Sequence, residues 1–402
     1  MVHRNKSVSM REKQNQDWKR FEAFVKAAVW RLPAESTDWE IYSRCTEHGI
    51  QALAAPILKE TSMPDDLRKR WEIDIQQHIF RYARYTYLLS QFPVKVPYVI
   101  LKGLSAARYY LSPECRSVGD IDIMTPREDM QAACDALLEN GYQETEPNSR
   151  HREFVKDGFL VEVHISYAWV DDIDQARNID NLILESIVKS HEHTLPDPVN
   201  GLVLLEHINH HLESGLGLRQ IIDWMMFVHR CLPDEKWPEF RELARQVGLE
   251  TLAVTAARMC ELYLGLPEHG WSKSADEKVC EYLMEYVLNS GNFGRQIEYE
   301  ERRAVARGEW LHHPAALLKE LQRRGEKEWE KADHPLARPF AWAWEGIRLA
   351  GGNDGLAKGL QEFKKRDMMF EALGIKRKKN GMVVYQDGEY VKTKGMFERK
   401  EL

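Results

Sequence analysis

Cysteine is scarce in this sequence, and its few occurrences avoid the spacings that give it recognisable chemistry. Six are scattered through 402 residues (Cys45, Cys115, Cys134, Cys231, Cys260 and Cys280), with no Cys-x-x-Cys among them. They read as reduced thiols in a cytoplasm. The opening stretch Met1–Lys19 is polar and charged, unlike a secretory signal. No apolar run approaches the ~20 residues that span a bilayer. Positive charge is not in excess either: the net charge is -7, so the surface as a whole does not advertise nucleic-acid binding. No internal repeat of fixed period is present. What remains is an ordinary globular composition, 43% hydrophobic and 30% charged, sufficient for a sizeable core. At ~150 residues per domain the length suggests two or three domains, and the expected location is cytoplasmic.

Three changes of pattern divide the chain. Residues 1–93 are expected to be helical, after a frayed start over 1–15. "WKRFEAFVKAAVWRL" places Phe21, Phe24, Val25 and Ala28 on one face, Asp38 is a candidate N-cap, and Pro33 and Pro64 punctuate the helices. Residues 94–170 alternate instead. "VPYVIL" and "SVGDIDIM" read as strands, "EDMQAACDALLENG" as an amphipathic helix, and "REFVKDGFLVEVHISY" as a hairpin turning at Asp157-Gly158. Residues 171–300 return to the 3.6-residue period, and 301–402 continue as a helical extension ending in a second Asp-Gly hairpin, "GMVVYQDGEYVKTKG". The fold class is α+β: a small mixed sheet with helices, embedded in a mostly α-helical chain.

The chemistry concentrates in Tyr98–Met124. On the strand, Asp120 and Asp122 share one side while Ile121 and Ile123 take the other. Two carboxylates buried side by side cost several kcal/mol unless a cation or a pKa shift relieves them. A hard divalent cation such as Mg²⁺ takes carboxylate oxygens, and two aspartates with a third carboxylate are the apparatus of phosphoryl or nucleotidyl transfer. Glu162, in phase on "LVEVHIS", is the expected third ligand, and His164 shares its face. Upstream, Lys102 and Gly103 lead from a strand into a helix start, a geometry that offers backbone N–H groups to an anion. Ser105 and Arg116 add a hydroxyl and a five-donor fork to this expected phosphate cradle.

These residues, "VILKGLSAARYY…RSVGDIDIM…LLENGYQ…FLVEVHISY", resemble the bacterial uncharacterised nucleotidyltransferase family within the DNA polymerase beta-like nucleotidyltransferase superfamily. The likeness extends through "LLEHINHHLESGLGLRQIIDWMMFVHR" to "SGNFG", roughly Trp18 to Gly294. It implies a nucleotidyltransferase-type sheet, Asp120, Asp122 and Glu162 as ligands of Mg²⁺ on an NTP (ATP being the expected one), and pyrophosphate release. It gives Glu162 a second candidate role, as base for the acceptor hydroxyl. The acceptor would be a small molecule, a protein or an RNA. The chain departs from the superfamily in one place: the common Gly-Ser pair is here Gly103-Leu104-Ser105. Two rival readings are a non-catalytic nucleotide-binding sensor and a toxin-type nucleotidyltransferase acting on tRNA or protein.

Other features have plainer explanations. His207, His210 and His211 are expected as helical polar or capping histidines, since a zinc site lacks its further ligands. Arg219 and Asp223, four apart, read equally as a helix salt bridge or as a pair orienting the helical region over the cleft. Gly291 and Gly294 read equally as a helix-ending turn or a close backbone approach to a ligand, Lys376–Lys379 as a solvated charged run rather than an RNA or DNA contact, and Trp310, Trp329, Trp342 and Trp344 as core.

Overall fold

The first helix runs further back than its apolar stripe. In the computed structural model, which describes residues 2–145, 150–189, 193–291, 355–375, 383–386 and 388–392 together with 339 and 342, helix α1 spans Val2–Trp30. The expectation of a frayed start over 1–15 is therefore corrected. Nothing from Val2 to Trp30 is Gly or Pro, and Arg, Glu, Lys and Gln propagate a helix well by their own propensity. The stripe itself lies where the period puts it: Phe21, Phe24, Val25 and Ala28 are buried. Helix α2 (Trp39–Glu47) is capped by Asp38, whose Oδ1 accepts from the N–H groups of Glu40 and Ile41 at 3.1 and 3.0 Å. Such a cap contributes about 1 kcal/mol. Helix α3 (Asp65–Ser90) follows Pro64, and its Trp71 is fully buried, donating from Nε1 to the Gln51 carbonyl at 2.8 Å.

The sheet comes next. β1 (Val99–Leu101), β2 (Ile121–Met124), β3 (Gln143–Glu144), β4 (His151–Lys156) and β5 (Phe159–His164) form one sheet in the order β1-β2-β5-β4-β3. The pairings are antiparallel except β2 with β5, which are parallel. Helices α4 (Lys102–Ala107) and α5 (Met130–Glu139) lie between strands in the sequence. Asp157 and Gly158 both take positive φ, 51° and 77°, the conformation of a type I′ turn, whose twist suits a tight hairpin. On one face Ile121, Ile123, Val161, Val163 and Phe154 pack with Cys134 and Leu137 of α5 in a shared core. The alternation of β2 and β5 leaves their acidic residues on the other face.

After the sheet come α6 (Ile173–Lys189), α7 (Asp197–Ser214), α8 (Leu218–Cys231), α9 (Trp237–Gln246), α10 (Glu250–Met259) and α11 (Glu277–Ser290). Trp224, Phe227 and Phe240 form an aromatic cluster there, closed over Gly201 so tightly that a Cβ would lie 2.4 Å from the Phe227 ring. The chain divides into two compact units, Met1–Arg295 with Leu373–Leu402, and Gln296–Ala372; helix α12 (Gly355–Ala372) belongs to the second. The expected C-terminal hairpin is present as β6 (Val383–Gln386) and β7 (Glu389–Lys392).

That hairpin is fastened to the chain leaving β5. The Tyr390 hydroxyl donates to Asp180 Oδ2 of α6 at 2.6 Å, so Ser166 Oγ, 2.7 Å away, donates to it in turn. The other Asp180 oxygen accepts from the N–H groups of Tyr167 and Ala168. Arg150 bonds the Ala168 carbonyl and lies over the Trp169 ring at 4.3 Å. All six thiols are free, as expected. No described helix is long and apolar enough to cross a membrane. Trp310, Trp329 and Trp344, the Lys376–Lys379 run, Asn292–Gly294 and most of the helical extension expected over 301–402 lie outside the described residues. Of that group Trp342 is half-buried.

Candidate active site

Register, rather than proximity in sequence, assembles the acidic cluster. β2 and β5 run parallel with Asp122 opposite Glu162, and Asp120 just precedes β2. The three carboxylates offer oxygens that lie within 4.8 Å of one another. This is the predicted trio, brought together. Lys102 joins it: its Nζ sits 2.7 Å from Asp122 Oδ1, and His164 Nε2 is 2.9 Å from the same oxygen and 3.1 Å from Glu162 Oε2. Asp122 is 2% exposed, and its Oδ2 has no hydrogen-bond partner. A buried carboxylate oxygen left unbonded costs free energy that a ligated cation removes. The donor set is all oxygen, the set a hard divalent ion prefers. The residues fit Mg²⁺.

The electrostatics follow from this packing. Asp120 is pushed up, first by the negative charge of Asp122 and then by burial. For Glu162 burial acts upward, but the hydrogen bond from His164 and the charge of Lys102 outweigh it and bring the carboxyl down to about 2. A carboxylate that acidic is ionised at neutral pH and has little affinity for a proton. Burial would lower Lys102 and His164, yet the carboxylates beside them raise both.

The Lys102-Gly103 turn has a clear structural reason. Lys102 has φ 43° and Gly103 φ 25°, both in the left-handed half of the map. A Cβ at Gly103 would find ordinary van der Waals distances, 3.6 Å to the Asp120 carbonyl oxygen, so space is not the constraint. The backbone conformation requires glycine, and it places the start of α4 against Asp120. Helix α4 has six residues and is kinked at Gly103. What it offers an anion is individual N–H groups rather than a long helix dipole.

Two expected phosphate ligands have their polar groups engaged by protein instead. Ser105 is buried and donates to Asn200 Oδ1 at 3.0 Å, while Asn200 Nδ2 donates to the Tyr109 hydroxyl at 2.9 Å, so this group ties α4 to α7. Arg116 is 4% exposed and its fork is engaged with protein: Nε and Nη2 donate to the two oxygens of Asp223 at 3.1 and 2.6 Å, and Nη1 to the Ser117 carbonyl. The Tyr110 hydroxyl adds a third bond to Asp223 at 2.6 Å. Asp223 thus joins α8 to the segment leading into β2, and its charge also acts on Arg219 of the same helix. Arg219, one turn earlier on α8, is lowered to about 10 by burial and by Arg116, while the charges of Asp223 and Asp120 act the other way.

The histidines of α7 fit the plainer reading. His207 and His211 face each other Nε2 to Nε2 at 3.1 Å, both lowered by burial, and His210 stacks on Trp169 at 4.0 Å. They are outside both metal-competent groups found among the described residues. Sequence reasoning missed His151, which lies directly across from His164. The turn would have given it: pairing outward from Asp157-Gly158 by equal steps carries residue 151 to 164.

Beside this site Glu206 of α7 is fully buried, accepting from the Trp169 N–H and from Asn209 Nδ2. Burial pushes its carboxyl up to about 8 against an ordinary 4.5, the hydrogen bonds notwithstanding. Between those values the folded chain holds a proton that the unfolded chain has released, so stability falls as pH rises, by at most about 1.4 kcal/mol per unit. Urea unfolding at pH 5.5 and 8.5 will show a smaller loss for Glu206→Gln than for the wild type. Equal losses would place the group's titration outside that window.

A family model for an uncharacterised nucleotidyltransferase matches residues 35–265, more than half the chain, and the protein belongs to this family. The match falls inside the expected span and stops short of "SGNFG". No curated protein and no solved structure matches the chain.

Proposed function

We propose that the chain transfers a nucleoside monophosphate from an NTP, ATP in the first instance, to an acceptor hydroxyl or phosphate, with Mg²⁺ required and pyrophosphate released. The observation that carries this reading is the unbonded, buried Oδ2 of Asp122 among three converging carboxylates. Asp120, Asp122 and Glu162 would hold the ion, which when bound supplies Lewis-acid stabilisation of triphosphate charge. Lys102 contributes a fixed cation to the same spot, held there by Asp122 rather than swinging in from solvent. Gly103 packs against Asp120, and the first N–H groups of α4 that follow it would serve phosphate oxygens. His164 keeps Glu162 ionised and oriented. Ser105 and Arg116 serve at one remove, by anchoring α4 and α8.

The test uses the full chain, Mg²⁺, a cell lysate and NTPs labelled either at the α- or the γ-phosphate. The expected result is α-label on an acceptor and γ-label in pyrophosphate. Nucleotide that is bound but never consumed would replace this reading with the sensor, and a chain that binds none would remove both.

A further inference from the structure

We propose that His151, Glu162 and His164 form a second metal site, of mixed nitrogen and oxygen donors, that takes a borderline divalent ion such as Zn²⁺ on the same sheet face as the aspartates. Cross-strand pairing sets His151 of β4 directly opposite His164 of β5, and Glu162 precedes His164 by two, so all three side chains share one face. One ligand atom from each lies within 4.8 Å of the others. Two imidazoles and one carboxylate are the donors that zinc and cobalt take with an open position, whereas the aspartate group is all oxygen. Packing alone accounts for part of the arrangement, since the two rings lie 4.9 Å apart at 47°. It does not account for His164 Nε2, which faces carboxylate oxygens of both Asp122 and Glu162. With its hydrogen displaced, that nitrogen's lone pair and the Glu162 oxygen 3.1 Å away are placed to share one ion.

Glu162 belongs to both groups, so an ion at the histidine site draws on a ligand of the other. Zinc is then an antagonist of the hard ion. This last step rests on the nucleotidyltransferase reading of the aspartates; the existence of the site does not.

The experiment titrates the full-length protein, free of metal, with Co²⁺ followed by visible absorption, with Zn²⁺ followed by calorimetry, and with Mn²⁺ followed by electron paramagnetic resonance. One Zn²⁺ per chain is expected, with weaker Mn²⁺ binding once it is bound. His151→Ala should lower zinc affinity by more than about tenfold and leave Mn²⁺ binding alone. His151→Gln, closer in size, repeats the test, and circular dichroism verifies folding of both. Zinc binding unchanged in both folded variants, or absent from the wild type, overturns the proposal. Mn²⁺ binding without zinc binding would sink this site and spare the transferase reading. Zinc binding that depends on His151, without any Mn²⁺ binding, would do the reverse.

Discussion

Asp122→Asn will reduce nucleotidyl transfer by about three orders of magnitude, some 4 kcal/mol of lost transition-state stabilisation, while the protein stays folded. Asp122 is the most buried of the three carboxylates and the one in contact with both Lys102 and His164. Asparagine keeps its shape but removes the charge and puts an amide where a ligand oxygen stood. The fold should tolerate the change, because the repulsion that pushes Asp120 up disappears with it. Release of label from α-labelled NTP measures the first effect, and thermal unfolding the second. Activity within tenfold of the wild type would remove Asp122 from the chemistry.

Asp223→Ala will act in the opposite way, on the fold. It leaves the buried Arg116 guanidinium uncompensated and deprives the Tyr110 hydroxyl of its acceptor, a defect worth about 3–5 kcal/mol. The urea midpoint should fall with little change in slope. Asp223→Asn should fall between, since one oxygen remains. Adding Arg116→Met to Asp223→Ala should recover part of the loss, because an apolar side chain leaves no unpaired charge. If the single variant were as stable as the wild type, Arg116 would be available to a ligand after all, as its sequence position suggested.

The contrast between these two residues shows what local pattern can and cannot convey. Asp120, Asp122 and Glu162 were legible because a strand has a period of two and a hairpin turn fixes register. Both are short-range rules, and the parallel pairing of Asp122 with Glu162 then follows from burying the apolar faces together. Arg116 and Ser105 were read as phosphate ligands because their partners, Asp223 and Asn200, lie 107 and 95 residues away on helices whose docking no local period encodes. An arginine ahead of an Asp-x-Asp strand looks the same in sequence whether it meets phosphate or carboxylate. The early start of α1 was missed for another reason: its first residues carry no apolar period in the sequence, and only the absence of Gly and Pro marks it.

The tyrosine that locks the end of β5 is residue 390, so its contribution arrives late in synthesis. A ribosome that has translated the whole five-stranded sheet still has residues 165 to 390 to add before that hydroxyl is complete. Until then Asp180 and Ser166 wait without that hydroxyl, while β5 is held by its pairing with β2 and β4 and the chain beyond it by the Tyr167 and Ala168 N–H groups on Asp180. A nascent chain cut short of residue 390 therefore carries the whole five-stranded sheet without this fastening.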